Sequence, residues 1–183
     1  MTKFGPLDNS SVNERELKII DYWNKIDLLH ESEKIREGNE KFVFFEGPPT
    51  ANGKPGIHHV VSRTLKDLTC RYNIMKGKHV QRKAGWDTHG LPVEIEVEKK
   101  LGLHNKKDIE AYGVKKFNEE CRDSVFQYES LWRKMTERMG YEIDLDNPYV
   151  TFHNDYVESV WNILNTMFKD GLLYEGHKIL PYC

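Results

Sequence analysis

Phe42-Val43-Phe44-Phe45-Glu46-Gly47-Pro48-Pro49-Thr50-Ala51-Asn52-Gly53-Lys54-Pro55-Gly56-Ile57-His58-His59 is the stretch whose reading decides the fold. The apolar run Phe42 to Phe45 predicts a buried strand, which Gly47, Pro48 and Pro49 cut off before a loop carrying Gly53, Pro55 and Gly56. Helical spacing begins directly after Gly56. Val60, Val61, Leu65, Leu68, Tyr72 and Met75 fall on one side of a helix predicted from Ile57 to Lys76, and Gly77 supplies its left-handed C-terminal position. A strand, a glycine-rich turn and a helix start together make an anion site. The first helical turn has unpaired N–H groups and the positive end of the dipole, and glycines let a phosphate approach the backbone. His58 and His59 stand in that first turn.

Beyond this helix, Lys78 to Lys83 predicts a second parallel strand, with Gly85 breaking it at its carboxyl end. Ligands of open α/β sheets bind beyond such ends, so the residues after Gly85 form a second candidate loop. Leu91 to Leu101 reads as a helix finished by Gly102, followed by a linker with Asn105, Lys106 and Lys107. From Val114 to Met139 a long stripe (Phe117, Cys121, Val125, Tyr128, Leu131, Trp132, Met135, Met139) reads as a core-facing helix ended by Gly140. Asp144, Asp146, Asn147 and Pro148 read as a turn. A further helix carries Val157, Val160, Trp161, Leu164, Met167 and Phe168 up to Gly171, and Leu172 to Cys183 reads as a strand beginning something new. Before the first strand, Ser11 or Asn13 caps a helix with Leu17, Ile20, Trp23 and Ile26 at helical spacing, read as a packing arm. The division expected is 1–40 helical arm, 41–140 first part of a nucleotide-binding domain and 141–183 helix and strand leading onward.

The chain has 183 residues, 38% hydrophobic, 31% charged and 11% aromatic, which suits a folded domain and excludes a disordered tail. No apolar run approaches the roughly 18 residues of a membrane span, and the polar start is no signal peptide, so a cytoplasmic protein with no membrane partner is expected. A net charge of −2 gives no basic footprint for nucleic acid. The local clusters at Lys76, Lys78, His79, Arg82 and Lys83, at Lys99 and Lys100, and at Lys106 and Lys107 read as solvated faces. Cys70, Cys121 and Cys183 are odd in number and widely spaced, which argues against a disulfide framework.

The first loop resembles the leading signature of the class I aminoacyl-tRNA synthetases, a His-Ile-Gly-His-like tetrapeptide after the first Rossmann strand. Here the tetrapeptide is Gly56-Ile57-His58-His59, with the first histidine and the glycine exchanged. Gly85-Trp86-Asp87-Thr88-His89-Gly90-Leu91-Pro92-Val93-Glu94 is similar to the second signature in the isoleucine-handling members of that family. The fold that the resemblance implies is α/β, a Rossmann-like parallel sheet forming the first half of a class I synthetase catalytic domain behind a helical arm.

The same resemblance implies ATP with Mg2+, isoleucine and tRNA(Ile) as reactants and partners, in a monomeric enzyme that activates isoleucine and transfers it to tRNA. Gly47, Gly56, Ile57, His58 and His59 would bind ATP, with His58 and His59 catalytic. Pro48 through its carbonyl, Asp87 and His89 would bind the amino acid, with His89 bridging the two loops. Leu180-Pro181-Tyr182-Cys183 is similar to the start of a Cys-X-X-Cys zinc knuckle, so Cys183 would be a first Zn2+ ligand only in a longer protein, since a structural site needs four. No Lys-Met-Ser-Lys-Ser-like loop is present. An amino-terminal fragment of a longer ligase is expected. The alternatives are a free-standing nucleotidyltransferase of the same superfamily and a non-catalytic ATP-binding relic.

Overall fold

In a computed structural model the described residues are 9–50 and 52–181. In chain order they form α1 (Val12–Lys25), α2 (Leu28–Lys34), α3 (Ile57–Met75), β1 (Lys83–Trp86), α4 (Leu91–Leu101), α5 (Lys106–Tyr112), α6 (Val114–Arg138), β2 (Asp144–Val150) and α7 (Asn154–Lys169). The strands β1 and β2 are parallel neighbours, so helices α4 to α6 make the crossover between them. The α/β class with a parallel sheet is the one the sequence predicts.

The run Phe42 to Phe45 is not the buried strand expected. The stretch 41–50 that contains it pairs with residues 79–87 only at its ends, through parallel bridges Lys41 to His79 and Thr50 to Asp87. Phe42 and Phe44 are half-buried while Val43 and Phe45 face solvent, Phe45 at 88% exposure. The middle of the pairing is taken by a side chain from the other edge. Tyr149 of β2 stands opposite Gly85, its ring crosses the face of that glycine, and its hydroxyl donates to the Glu46 carbonyl at 2.7 Å. A Cβ at Gly85 would overlap the ring. Gly85 is therefore a slot inside β1 rather than a strand breaker, and β1 starts at Lys83, where the predicted strand ends.

The predicted turn at Asp144 to Pro148 is part of β2. Asp144 accepts from the N–H of Asp146 at 2.9 Å and of Asn147 at 3.0 Å, an Asx turn. The pairing jumps from Lys83↔Asp144 to Gly85↔Tyr149, so the turn is looped out as a bulge between two paired ends. The turn chemistry is real and is contained within the strand. Similarly, the linker at Asn105 holds α5, because Asn105 caps it by accepting from Lys107 and Asp108 N–H.

The core lies between β1, β2, α4 and α6. Trp86, Val93, Val125, Trp132 and Val150 form one cluster, and Ala84, Tyr141 and Ile143 a second. Helix α3 keeps its predicted span and ends at Gly77 with φ +85°, but its sides are exchanged. Val61, Leu65, Leu68, Tyr72 and Met75 face solvent, while Arg63, Cys70 and Asn73 are buried.

The inward side of α3 is ionic. Arg82, fully buried and not on a solvated face, donates to Asp67 at 3.0 Å and to Glu142 at 2.6 Å, and Arg71 joins the same two carboxylates at 2.5 and 2.8 Å. A buried guanidinium needs this planar, charge-assisted pairing to offset its desolvation.

Ser11 is the cap of α1, in a capping box with Glu14. The arm packs by Trp23, which lies against Gly140 and under the Arg71 guanidinium at 5.2 Å, and by Arg138, which donates to Asn13 and Glu16. Helix α7 has no buried residue, with Trp161 and Phe168 about two-thirds exposed. Residues 172–181 are irregular and not the strand expected, since among the described residues they have no strand partner, and Leu172 and Leu173 donate back to the Met167 carbonyl of α7.

Candidate functional site

Gly56 is the N-cap of α3, and the chain there folds back on itself. The Gly56 N–H donates to Nδ1 of His59 at 2.9 Å, and the His59 N–H donates to the Gly56 carbonyl at 3.0 Å. Nδ1 of His59 is therefore an acceptor, which places the ring proton on Nε2. Burial, then neighbouring His58 and Arg63, lower the His59 pKa, in keeping with a neutral ring. His58 is exposed and leans back over the cap. Its Cε1 lies 2.9 Å from where a Cβ on Gly56 would stand. Glycine at 56 thus leaves room for the imidazole carried at 58. Ile57 points to solvent at 78% exposure.

The second loop is brought to the first by Thr50. Its hydroxyl donates to Asp87 Oδ2 at 3.0 Å, and the Asp87 N–H donates to the Pro49 carbonyl at 3.0 Å. The Pro48 carbonyl takes no hydrogen bond among the described residues. His89 does not bridge the loops: its Nδ1 lies 2.6 Å from Thr151 Oγ1, at the end of β2. The Asp87 and His59 neighbourhoods are joined instead through indoles. Trp132 meets the His59 ring edge-on at 4.5 Å and the Trp86 ring at 6.4 Å, and its N–H donates to the Gly53 carbonyl at 2.9 Å.

Glu46 fixes the base of the first loop. Its buried carboxylate pairs with Lys66 and accepts from the Tyr141 hydroxyl at 2.6 Å, while Lys66 also reaches the Gly47 carbonyl at 3.3 Å. Burial and the Glu46 carboxylate push the Tyr141 pKa strongly upward, so Tyr141 stays a donor. Sequence reasoning placed Trp132 in the core only and passed over Glu46 and Thr151. The available signal was Glu46 itself, a carboxylate ending an apolar run.

Among the described residues no group of three or more His, Cys, Asp or Glu is placed to hold a metal ion, and Cys183 lies outside them. No helix among them is long and apolar enough to cross a membrane.

Residues 18–183 match the family model of tRNA synthetases class I (I, L, M and V). The isoleucine–tRNA ligase of Clostridium tetani (strain Massachusetts / E88) is 53% identical over 175 residues, which are 96% of this chain and 17% of that protein. That of Clostridium novyi (strain NT) is 57% identical over 168 residues, 92% of this chain and 16% of that protein. Isoleucine–tRNA ligase 2 of Bacillus cereus is 54% identical over 169 residues. The chain thus spans about a sixth of the length of the relatives it matches. Among solved structures, the agnB2 LeuRS of Agrobacterium radiobacter K84, in a ternary complex with tRNA and LeuAMS, aligns with a TM-score of 0.60 at 20% identity, covering 90% of this chain and 19% of that one. At that identity the likeness concerns the fold.

Proposed function

Because this chain belongs to the class I tRNA synthetases of the I, L, M and V group, we propose that it is the first part of the catalytic domain of an isoleucine–tRNA ligase. The observation that carries the reading is the joining of the two loops, Thr50 and Pro49 of the first holding Asp87 of the second. Identity of 53–57% to isoleucine–tRNA ligases supports isoleucine as the amino acid.

In this reading the amino-acid ammonium is held by Asp87, which keeps one carboxylate oxygen free of Thr50, and by the Pro48 carbonyl. That aims the substrate carboxylate at ATP. A carboxylate oxygen attacks the α-phosphorus and pyrophosphate leaves, giving isoleucyl-adenylate, whose acyl group then passes to the terminal ribose of tRNA(Ile). Positioning and charge stabilisation do most of this work. His59 contributes its Nε2–H to phosphate oxygens as a neutral donor, and Gly56 gives the nucleotide close access to the helix start. His58, leaning over Gly56, offers a second imidazole at the place the family's first histidine would fill. Gly47, anchored beside Lys66, completes the loop. The family uses ATP with Mg2+. Among the described residues no cluster of carboxylates is placed to hold the ion, which when bound to ATP would neutralise phosphate charge.

Isoleucine-dependent ATP–pyrophosphate exchange by a longer protein carrying this chain, with valine and leucine as controls, tests the reading. Exchange best supported by isoleucine is expected. ATP binding without exchange for any amino acid would favour the non-catalytic alternative.

A further inference from the structure

We propose that Thr151, acting with Thr88, is a positioning residue that holds His89 as its Nε2–H tautomer, so that His89 meets an anionic substrate oxygen as a hydrogen-bond donor. The inference rests on the reading of residues 85–90 as part of the amino-acid site. Its physical content is a proton count around two buried hydroxyls, Thr88 at 4% exposure and Thr151 at 5%.

The main-chain donors are fixed. The N–H of Phe152 donates to Thr88 Oγ1 at 3.1 Å, and the N–H of Thr88 donates to Thr151 Oγ1 at 3.0 Å. The two hydroxyls are 3.1 Å apart, and Thr151 Oγ1 lies 2.6 Å from Nδ1 of His89. Suppose Thr88 donates its hydroxyl proton to Thr151 and Thr151 donates its own to Nδ1. Each hydroxyl then uses its single proton, and Thr151 fills both lone pairs. The opposite direction puts the proton on Nδ1 and has Thr151 donate to Thr88. The Thr88 hydroxyl proton then has no protein acceptor among the described residues, which is the costlier arrangement. The chain therefore runs from Thr88 to Thr151 to Nδ1.

With Nδ1 committed as acceptor, Nε2–H is the ring's donor, and the imidazole lines a cavity of about 160 Å³ together with Thr88, Glu94, Asn118 and Arg122. A neutral donor there suits the carboxylate of the amino acid or a phosphate of ATP. It does not suit a base that must remove a proton through Nε2.

The test begins with protein labelled with 15N only in its histidine rings, the His89 signals being those lost in His89→Asn. The wild type is expected to show a pyridine-like Nδ1 and a pyrrole-like Nε2, and the proton found on Nδ1 would overturn the proposal. Thr151→Ser should keep that pattern and Thr151→Val should lose it, and an unchanged spectrum in folded Thr151→Val counts against the proposal. If Thr151→Val does not fold, the wild-type spectrum still decides. In the exchange assay on the longer protein, Thr151→Val is expected to raise one KM by about tenfold, the worth of one hydrogen bond, with Thr151→Ser near wild type. A rise for the amino acid assigns its carboxylate as acceptor, and a rise for ATP assigns a phosphate. Unchanged kinetics with an altered tautomer would remove the substrate role. Wild type without any exchange would instead speak against the proposed function, and the spectrum would stand apart from it.

Discussion

Helices α3 and α6 are both long, both amphipathic and both carry an apolar stripe, yet they settle on the core in opposite ways. Helix α6 buries Phe117, Val125 and Trp132. Helix α3 turns Leu65, Leu68 and Met75 to solvent and rests on Arg63, Asp67 and Arg71, which pair with groups from α6 and from the stretches just before β1 and β2. Hydrophobic period tells that a segment is helical; it does not tell which side has a neighbour. What decides for α3 is Arg82. A guanidinium buried beneath the helix needs carboxylates, and Asp67 is on the side that can reach it.

If α3 is held by ions and α6 by packing, different substitutions should break each. The largest losses are expected for Arg82→Ala and Trp132→Ala, each about 3–5 kcal/mol in urea unfolding. The first empties a fully buried site and leaves Asp67 and Glu142, both partly buried, with Arg71 alone as shared cation. The second leaves a cavity beside Trp86 and frees the Gly53 carbonyl. A loss under 1 kcal/mol for Arg82→Ala would show that α3 does not depend on the ion network.

A smaller effect is tied to pH. The lowered His59 pKa means the unfolded chain binds the proton more readily, so stability is fully present above the ordinary value of 6.5 and falls as pH drops through it toward the folded value. Protonating Nδ1 also ends its acceptance from Gly56 N–H. His59→Asn should flatten this acid limb of the stability profile, and an unaltered limb would reassign it.

Leu65→Glu and Leu68→Glu on the open side of α3 should each stay within about 0.5 kcal/mol in this chain, whereas Val125→Glu on α6 should prevent folding. A cost above 2 kcal/mol at Leu65 would mean the stripe is covered. Least of all should happen at Cys121, the half-buried thiol of α6. Burial, then Glu94, Glu120 and Glu98, push its pKa up to about 11, so iodoacetamide at pH 8 should leave it unmodified in native protein. Rapid alkylation would show that α6 opens.

The helices were legible because glycines punctuate them: Gly77, Gly102, Gly140 and Gly171 all take positive φ at their ends. Strands were less so. The edge of β2 hides its turn residues in a bulge, and β1 carries a glycine whose reason, the Tyr149 ring, lies 64 residues further on by numbering. At the site, His59 and Asp87 stand beside the elements expected for them. That His89 turns to Thr151 is not legible, because Thr151 follows a strand whose residues have the signature of a turn, and a core indole and a loop anchor such as Trp132 have the same period.

The hydroxyl of Tyr149 on the Glu46 carbonyl joins residues 103 apart, and this has a meaning in time. A ribosome adding about 5–20 residues per second delivers the tyrosine roughly 5–20 s after the glutamate. Until then the first loop lacks its far anchor and Gly85 its occupant. The nascent chain can wind α3 early, but the pocket is born only when β2 emerges.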